Sequence, residues 1–158
     1  MTVNWSVGGT MDHPAYAGRI ETCVRTSAWA TSSSSWTDIP SLAGGNITVM
    51  RSTSVIAVHC HLSLEVDGGS TGHGIARLRK SVNNGSWSTV ANFNVLGSTD
   101  NQVGDGFCFR ADHNQSAGTT LKYKVQYRKT NTSGNHTVAD TGPGESTRAC
   151  LFYYEMQE

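Results

Sequence analysis

The clearest pattern in the chain is a stretch, Thr119 to Lys129, in which apolar and polar residues alternate. Its apolar positions are Leu121, Tyr123, Val125 and Tyr127, and the positions between them carry lysine, glutamine and arginine. Successive side chains of a strand leave it on opposite faces, so this period of two predicts a β-strand with one apolar face. That face needs a second layer to cover it, which predicts a sheet packed against another sheet.

A second strong alternation runs from Val55 to Glu65. Its apolar face consists of Ile56, Val58, Cys60, Leu62 and Leu64. The opposite face carries Ala57, His59, His61 and Ser63, and it is neither clearly polar nor clearly apolar. Mixed faces of this kind are typical of contacts between subunits, whereas the default for an antiparallel strand is one solvated face. We therefore take these four residues as candidates for a contact between subunits, with a solvated face as the alternative.

Shorter alternating or apolar runs fill the rest of the chain, separated by clusters of glycine, asparagine, serine and proline. Asn83-Asn84-Gly85 predicts a hairpin turn, because Asn-Gly accepts the positive φ angles of a tight turn. The last run, Arg148 to Met156, is apolar on both faces and is predicted to be a strand that is central in its sheet or covered on both sides. No window carries the apolar stripe of a helix, so about eight short strands predict an all-β antiparallel sandwich or barrel.

The start of the chain has no clear periodicity. We interpret residues 1–22 as an extended arm ahead of a single domain at residues 23–158. Trp5 and Tyr16 are candidate anchors that hold this arm on a neighbouring subunit, and packing on their own domain is the alternative. No basic region followed by an apolar one is present here, so we expect no secretory signal.

Composition argues against two classes of partner. The 158 residues include 12 Lys+Arg and 12 Asp+Glu, which gives a formal net charge of zero. A nucleic-acid-binding protein usually has a basic excess, so we expect no nucleic-acid partner. The chain has no long apolar run, so we expect no segment that spans a membrane.

The four cysteines are predicted to be free thiols packed inside strands. Cys23, Cys60, Cys108 and Cys150 are far apart and form no Cys-x-x-Cys pair, which argues against a structural zinc site. Disulfides between facing strands are the alternative, since four cysteines permit three pairings.

The triplet His59-Cys60-His61 does not predict a metal site within one chain. The two histidines share one face of the strand and the cysteine points to the other, so the three cannot converge on one ion. Histidines from three chains can meet on a three-fold axis, which leaves a metal ion there as an alternative to packed polar histidines. We expect no cofactor and no metal.

No catalytic signature is present. Asp112 and His113 near Ser116 read as turn residues, and no Gly-x-Ser-x-Gly elbow occurs, so we expect no enzymatic activity.

A sugar-binding site is a separate possibility that the sequence leaves open. Tryptophans such as Trp36 and Trp87 can stack on sugars, although core packing is the commoner fate of strand-borne aromatic residues. Such a site would lie on the flexible loops 67–74 and 97–106. The candidate ligand residues of these loops are Asp67, His73, Asp100 and Asp105.

Several segments together resemble a known family. They are Ser34–Pro40, Ser54–Val58, Ala76–Lys80, Asp112 followed by Ala117–Tyr127, and Tyr154–Met156. In this order they are similar to the compact jelly-roll domain found in tailed-phage virion proteins, as fibre heads, spikes and capsid decorations. The segments are strand patterns rather than catalytic signatures, and they extend over most of the chain.

The resemblance implies one jelly-roll β-sandwich of about eight strands that forms homotrimers. It also implies a non-enzymatic virion structural protein, made in the host cytoplasm and carried on the outer surface of the particle. Only about twenty residues precede the first predicted strand, too few for a long shaft, so we favour a trimer that decorates or cements the capsid. Its expected partner is the major capsid protein or another virion protein. The alternatives are the receptor-binding head of a tail fibre or spike that recognises host glycan, and a carbohydrate-binding module.

Overall fold

The structure, a computed structural model, describes residues 16–25, 27–66, 73–96, 104–130, 135–138 and 149–157. Within these ranges the chain forms eleven β-strands and no helix, as the short alternating runs predicted. The strands are β1 (Tyr16–Arg25), β2 (Trp29–Thr31), β3 (Thr37–Ala43), β4 (Ile47–Thr48), β5 (Ser54–Val66), β6 (His73–Val82), β7 (Trp87–Leu96), β8 (Gly104–Asp112), β9 (Thr120–Lys129), β10 (His136–Val138) and β11 (Ala149–Gln157).

The strands form two antiparallel sheets. In the first sheet β5 is central: β8 pairs along one edge of it, and β11 and β10 pair in succession along the other. β1 flanks β11, and β2 flanks β10. The second sheet has the order β3-β9-β6-β7, and the short strand β4 pairs with β9 beyond the end of β3.

The order of strands within the sheets is that of a jelly roll. The first and last strands, β1 and β11, pair with each other, and most connections cross from one sheet to the other. The long strands therefore fall into two sets of four, β1-β11-β5-β8 and β3-β9-β6-β7, which is the double Greek key of this fold. The predicted jelly-roll β-sandwich is confirmed.

The core lies between the two sheets and is built largely from the two strands with the strongest alternation. In β9 the predicted apolar residues Leu121, Tyr123, Val125 and Tyr127 are all fully buried. The predicted apolar face of β5 is buried as well, at exposures of 0–3%, by Ile56, Val58, Cys60, Leu62 and Leu64. Each large apolar side chain buried in this way stabilises the fold by roughly 1.5–3 kcal/mol.

The predicted hairpin joins β6 and β7. Asn83 and Asn84 adopt φ angles of 49° and 57°, and the N–H of Gly85 donates to the carbonyl oxygen of Val82 at 2.8 Å. Two successive central residues with positive φ define the turn type that matches the twist of a hairpin. The turn is therefore centred on Asn83-Asn84, one residue earlier than the Asn-Gly pair on which the prediction was based.

The first strand begins earlier in the chain than the sequence predicted. β1 starts at Tyr16, inside the range 1–22 that we interpreted as an arm, and it pairs with β11 through a register irregularity between Tyr16 and Ile20. Where the pairing register is irregular, side chains do not alternate strictly between the two faces. The sequence therefore shows no period of two at the start of this strand. Trp5, the other candidate anchor, lies outside the described residues, as does the Tyr16 side chain.

β11 lies between β1 and β5, as its two apolar faces predicted. Its inner residues Ala149, Leu151 and Tyr153 are fully buried in the core. Phe152 and Tyr154 point to the opposite side of the sheet and are only half-buried. Among the described residues no third layer covers this side of the sheet.

A buried carboxylate organises the turn between β4 and β5. Glu155 is 0% exposed and accepts hydrogen bonds from the backbone N–H of Met50 at 2.9 and 3.0 Å and from that of Arg51 at 3.2 Å. A charged group is tolerated at such a depth only when donors of the protein replace water. Glu155 therefore fixes the backbone just before the central strand β5.

We expect Glu155→Ala to lower the free energy of unfolding by about 2–3 kcal/mol, because two partly buried backbone N–H donors lose their acceptor. Equilibrium denaturation followed by tryptophan fluorescence measures this loss. Glu155→Gln keeps an acceptor oxygen at nearly the same volume and should lose less. An unfolding free energy of Glu155→Ala equal to that of the unaltered chain would contradict the role given to this carboxylate.

Candidate interaction surface

Aromatic side chains line the side of the first sheet that faces away from the core. The strand register places Phe152, His59 and Phe109 in one row across β11, β5 and β8. In the same way, the next row joins His61 to Phe107. Directly paired residues of an antiparallel sheet point to the same face, so these rings are neighbours on one surface.

The rings of this surface contact one another closely. His59 stacks on Phe152 with ring centroids 4.4 Å apart and meets Phe109 edge to face at 4.6 Å. His61 stacks on Phe107 at 4.5 Å. Contacts of this geometry add about 0.5–1.5 kcal/mol each to the burial of the rings, so they hold the surface in one arrangement.

We call this surface the aromatic face and define it by His59, His61, Phe107, Phe109, Phe152 and Tyr154. Its outer edge is strongly exposed, at 70% for Phe107 and 59% for Phe109. A shallow groove of about 260 Å³ runs between the rings and is also lined by Cys108 and Cys150. Exposed aromatic side chains that lie side by side in this way make the surface a candidate for binding another molecule.

The four candidate interface residues divide into two pairs. His59 and His61 lie in the middle of the aromatic face and are half-buried. Ala57 and Ser63 lie on the same side of β5 but are 0% and 1% exposed, so they sit beneath the surface and support it. Only the two histidines are therefore placed to contact a second chain.

Sequence reasoning missed the two most exposed members of the aromatic face, Phe107 and Phe109. The signal was the alternation Phe-Cys-Phe, in which both phenylalanines share one face of a short strand. Taken alone, that alternation predicts a strand and does not show what lies beside it. Their position beside His59 and His61 depends on the pairing of β8 with β5, which no local pattern indicates.

The candidate ligand loops are largely beyond what the structure describes. Asp67 and Asp100 lie outside the described residues, and Asp105 lies in β8 with its side chain outside them. His73 is exposed at the start of β6, where its carbonyl oxygen accepts a hydrogen bond from the Thr130 hydroxyl at 2.6 Å. The described residues thus bring no ligand site together at these positions.

The four cysteines are free thiols in the structure. Cys60 and Cys108 are paired residues of β5 and β8, and Cys60 is buried in the core. Burial raises the pKa of both thiols, and the charges of Cys108 and Cys150 add to this effect at Cys60. Because the thiolate is the reactive form, these groups are held in their inert state.

Two other hypotheses concern metal binding and catalysis. No three of the described His, Cys, Asp and Glu side chains are arranged to hold a metal ion. Asp112 is engaged by the ammonium of Lys80 at 2.8 Å and by the hydroxyl of Tyr123 at 2.6 Å. Its carboxylate therefore links the end of β8 to the second sheet. Across the described part of the chain, no helix is long and apolar enough to span a membrane.

Comparisons with known proteins find similarity only among solved structures, since no protein-family model and no curated protein matches the sequence. Eiger, a TNF from S. frugiperda, is 10% identical with a TM-score of 0.49, covering 91% of this chain and 95% of that one. Murine APRIL is 9% identical with a TM-score of 0.44, covering 87% and 98%. The structure of infectious bursal disease virus strain Gx is 11% identical with a TM-score of 0.45, covering 97% of this chain and 42% of that one.

These similarities carry no function over to the chain. The identities are 9–11% and the three TM-scores are below 0.5. The fold therefore rests on the strand order of the chain itself, and the function has to be argued from its own surfaces.

The aromatic face makes the stability of the protein dependent on pH. Burial lowers the pKa of His59 below its ordinary value of 6.5, since the charged ring is poorly solvated between Phe109 and Phe152. The unfolded chain then takes up a proton at a higher pH than the folded chain does. The contribution of neutral His59 is therefore complete above pH 6.5 and is lost as the pH falls below it.

We expect the melting temperature to fall as the pH is lowered from about 7.5 to about 5.5. The decrease should be smaller in His59→Gln, because glutamine cannot take up this proton. Differential scanning fluorimetry across this range measures both curves. His73→Gln is the matched control, because His73 is exposed and lies on the second sheet. If His59→Gln and the unaltered chain lost the same number of degrees, protonation of His59 would not be the cause.

Proposed function

We propose that this chain is a non-enzymatic structural protein of a tailed-phage virion, a homotrimeric jelly roll that decorates or cements the capsid. The observation that carries the proposal is the aromatic face, which is ordered by its own ring contacts yet exposed by up to 70% at Phe107. A surface with these properties is suited to contact with further copies of the chain.

The position of the aromatic face favours a ring of subunits. It extends from β11 across β5 to β8, which is the outermost strand at that side of the described sheet. Phe107 and Phe109 at this edge can therefore pack on Phe152 and Tyr154 of the next subunit. Such a contact joins two different patches, and contacts of this type close into rings when the rotation between subunits allows it.

The virion role is supported by the segments that resemble phage jelly-roll domains. These segments fall in the regular parts of the sandwich: β3, β5, β6, β9 and β11 each contain one of them or part of one. The resemblance thus concerns the framework of the domain, while the aromatic face supplies the means of assembly. Tyr154 belongs to both, since it lies in the last of these segments and on the aromatic face.

We expect the purified chain to have a mass three times that of one chain, and the double variant Phe107→Ser/Phe109→Ser to have the mass of one. Each truncated aromatic anchor should cost about 2 kcal/mol or more of association free energy. Size-exclusion chromatography with light scattering measures the mass, and circular dichroism shows that the variant is folded.

Met50→Ser/Leu96→Ser is the matched control for this experiment. These residues are exposed by 60% and 63%, similar to the two phenylalanines, but they lie in the turn before β5 and at the end of β7, not on the strands that form the aromatic face. The control should remain a trimer. A monomeric unaltered chain would remove the proposal, and loss of the trimer in both variants would mean that general surface hydrophobicity drives association.

In purified particles of the phage whose genome encodes this chain, we expect a copy number comparable with that of the major capsid protein. A cement protein has to occupy sites that repeat over the whole lattice, whereas a fibre head is present at a vertex or tail only. Quantitative mass spectrometry of the particles measures the ratio. A few copies per particle would favour the receptor-binding head, and absence from the particles would contradict a virion role.

A further inference from the structure

The outer face of the second sheet concentrates positive charge that the neutral net charge of the chain conceals. In β9, Lys122, Lys124 and Arg128 alternate with the buried core residues and so point outward. Arg77 and Arg79 of β6 lie beside them, and Arg79 pairs directly with Lys124. We call these five cations the basic face.

One carboxylate accompanies the five cations among the side chains that the structure describes. Asp38 lies 2.9 Å from the ammonium of Lys124 and accepts a hydrogen bond from the amide of Gln126 at 2.6 Å. The surface therefore keeps a net charge of +4 within a chain whose net charge is zero. Desolvation, together with the positive charges of Arg79 and Arg128, lowers the pKa of Arg77, in keeping with this excess.

Two tryptophans hold the cations in position. The guanidinium carbons of Arg77 and Arg128 lie 4.2 and 4.7 Å from the ring centre of Trp36. At the other end of the face, the ammonium of Lys124 lies 4.7 Å from the ring centre of Trp87. Side chains that are already ordered lose less entropy when they bind a ligand, so the basic face is prepared for an anion.

Neutral polar groups lie along one side of the cations. Thr89 and Asn92 of β7 are exposed and pair with Arg79 and Arg77, and Asn94 follows on the same strand. Their hydroxyl and amide groups can donate and accept hydrogen bonds. A ligand on this surface would thus meet charges and neutral hydrogen-bonding groups side by side.

The basic face is longer along the strands than across them, with its cations in two neighbouring rows. Lys122 and Arg128 are six residues apart on one strand, a distance of roughly 20 Å at the rise of an antiparallel strand. We propose that this face binds a linear acidic polysaccharide, with carboxylate or sulfate groups on the cations and sugar hydroxyls on Thr89 and Asn92. Single-stranded nucleic acid suits it less, because base stacking needs free ring faces and both tryptophans are half-buried beneath cations.

The test uses the full chain and two anionic probes, heparin with sulfate groups and polygalacturonate with carboxylates, with dextran as the neutral probe. Isothermal titration calorimetry measures the affinity, and a salt concentration of about 50 mM limits the screening of the charges. We expect binding to at least one anionic probe, none to dextran, and at least a tenfold loss of affinity in Lys122→Gln/Lys124→Gln. These lysines point outward, so circular dichroism should show an unchanged fold.

Arg51→Gln/Arg110→Gln is the matched control, because it removes two exposed cations that are not part of the basic face. Its affinity should stay within about twofold of the unaltered chain, as expected when lost charges lie outside the site. Equal losses in both double variants would overturn the proposal in favour of unspecific charge attraction. It would also be overturned if neither anionic probe bound, or if a single-stranded oligonucleotide bound more tightly than both.

Discussion

The burial of two apolar strand faces against each other is the interaction on which the rest of this structure depends. β5 supplies one face and β9 the other, and their inward side chains are almost completely removed from water. Because side chains alternate along a strand, this burial also decides what remains outside. The residues between the core positions of β5 form part of the aromatic face, and those between the core positions of β9 form much of the basic face.

The two outer surfaces are therefore chemically opposite although the sheets are built alike. The first sheet exposes rings that stack on one another, with Phe109 and Phe152 on either side of His59. The second exposes cations that rest on Trp36 and Trp87. A surface of the first kind is suited to close contact with protein, and one of the second kind to a solvated anion. The jelly roll separates these two surfaces by the full thickness of the sandwich.

Much of the framework could be predicted from the sequence because strand patterns are local. The alternation in β9 and β5, the hairpin at Asn83 and Asn84, and the double-sided apolar character of β11 each depend on residues within about ten positions. Prediction failed at β1, whose irregular pairing from Tyr16 onward breaks the period of two. The sequence pattern correctly placed Ala57 and Ser63 on the same side of β5 as the two histidines. It did not indicate that both side chains are buried.

The sequence by itself determined which segments are strands and which side of each is apolar, because both follow from the period of side chains along one strand. Only the tertiary structure decided which strands are neighbours. Phe109 lies beside His59, and Arg79 beside Lys124, although these pairs are separated by dozens of residues. Such proximity results from the crossing connections of the jelly roll, and those are selected by the joint burial of both sheets rather than by any local pattern.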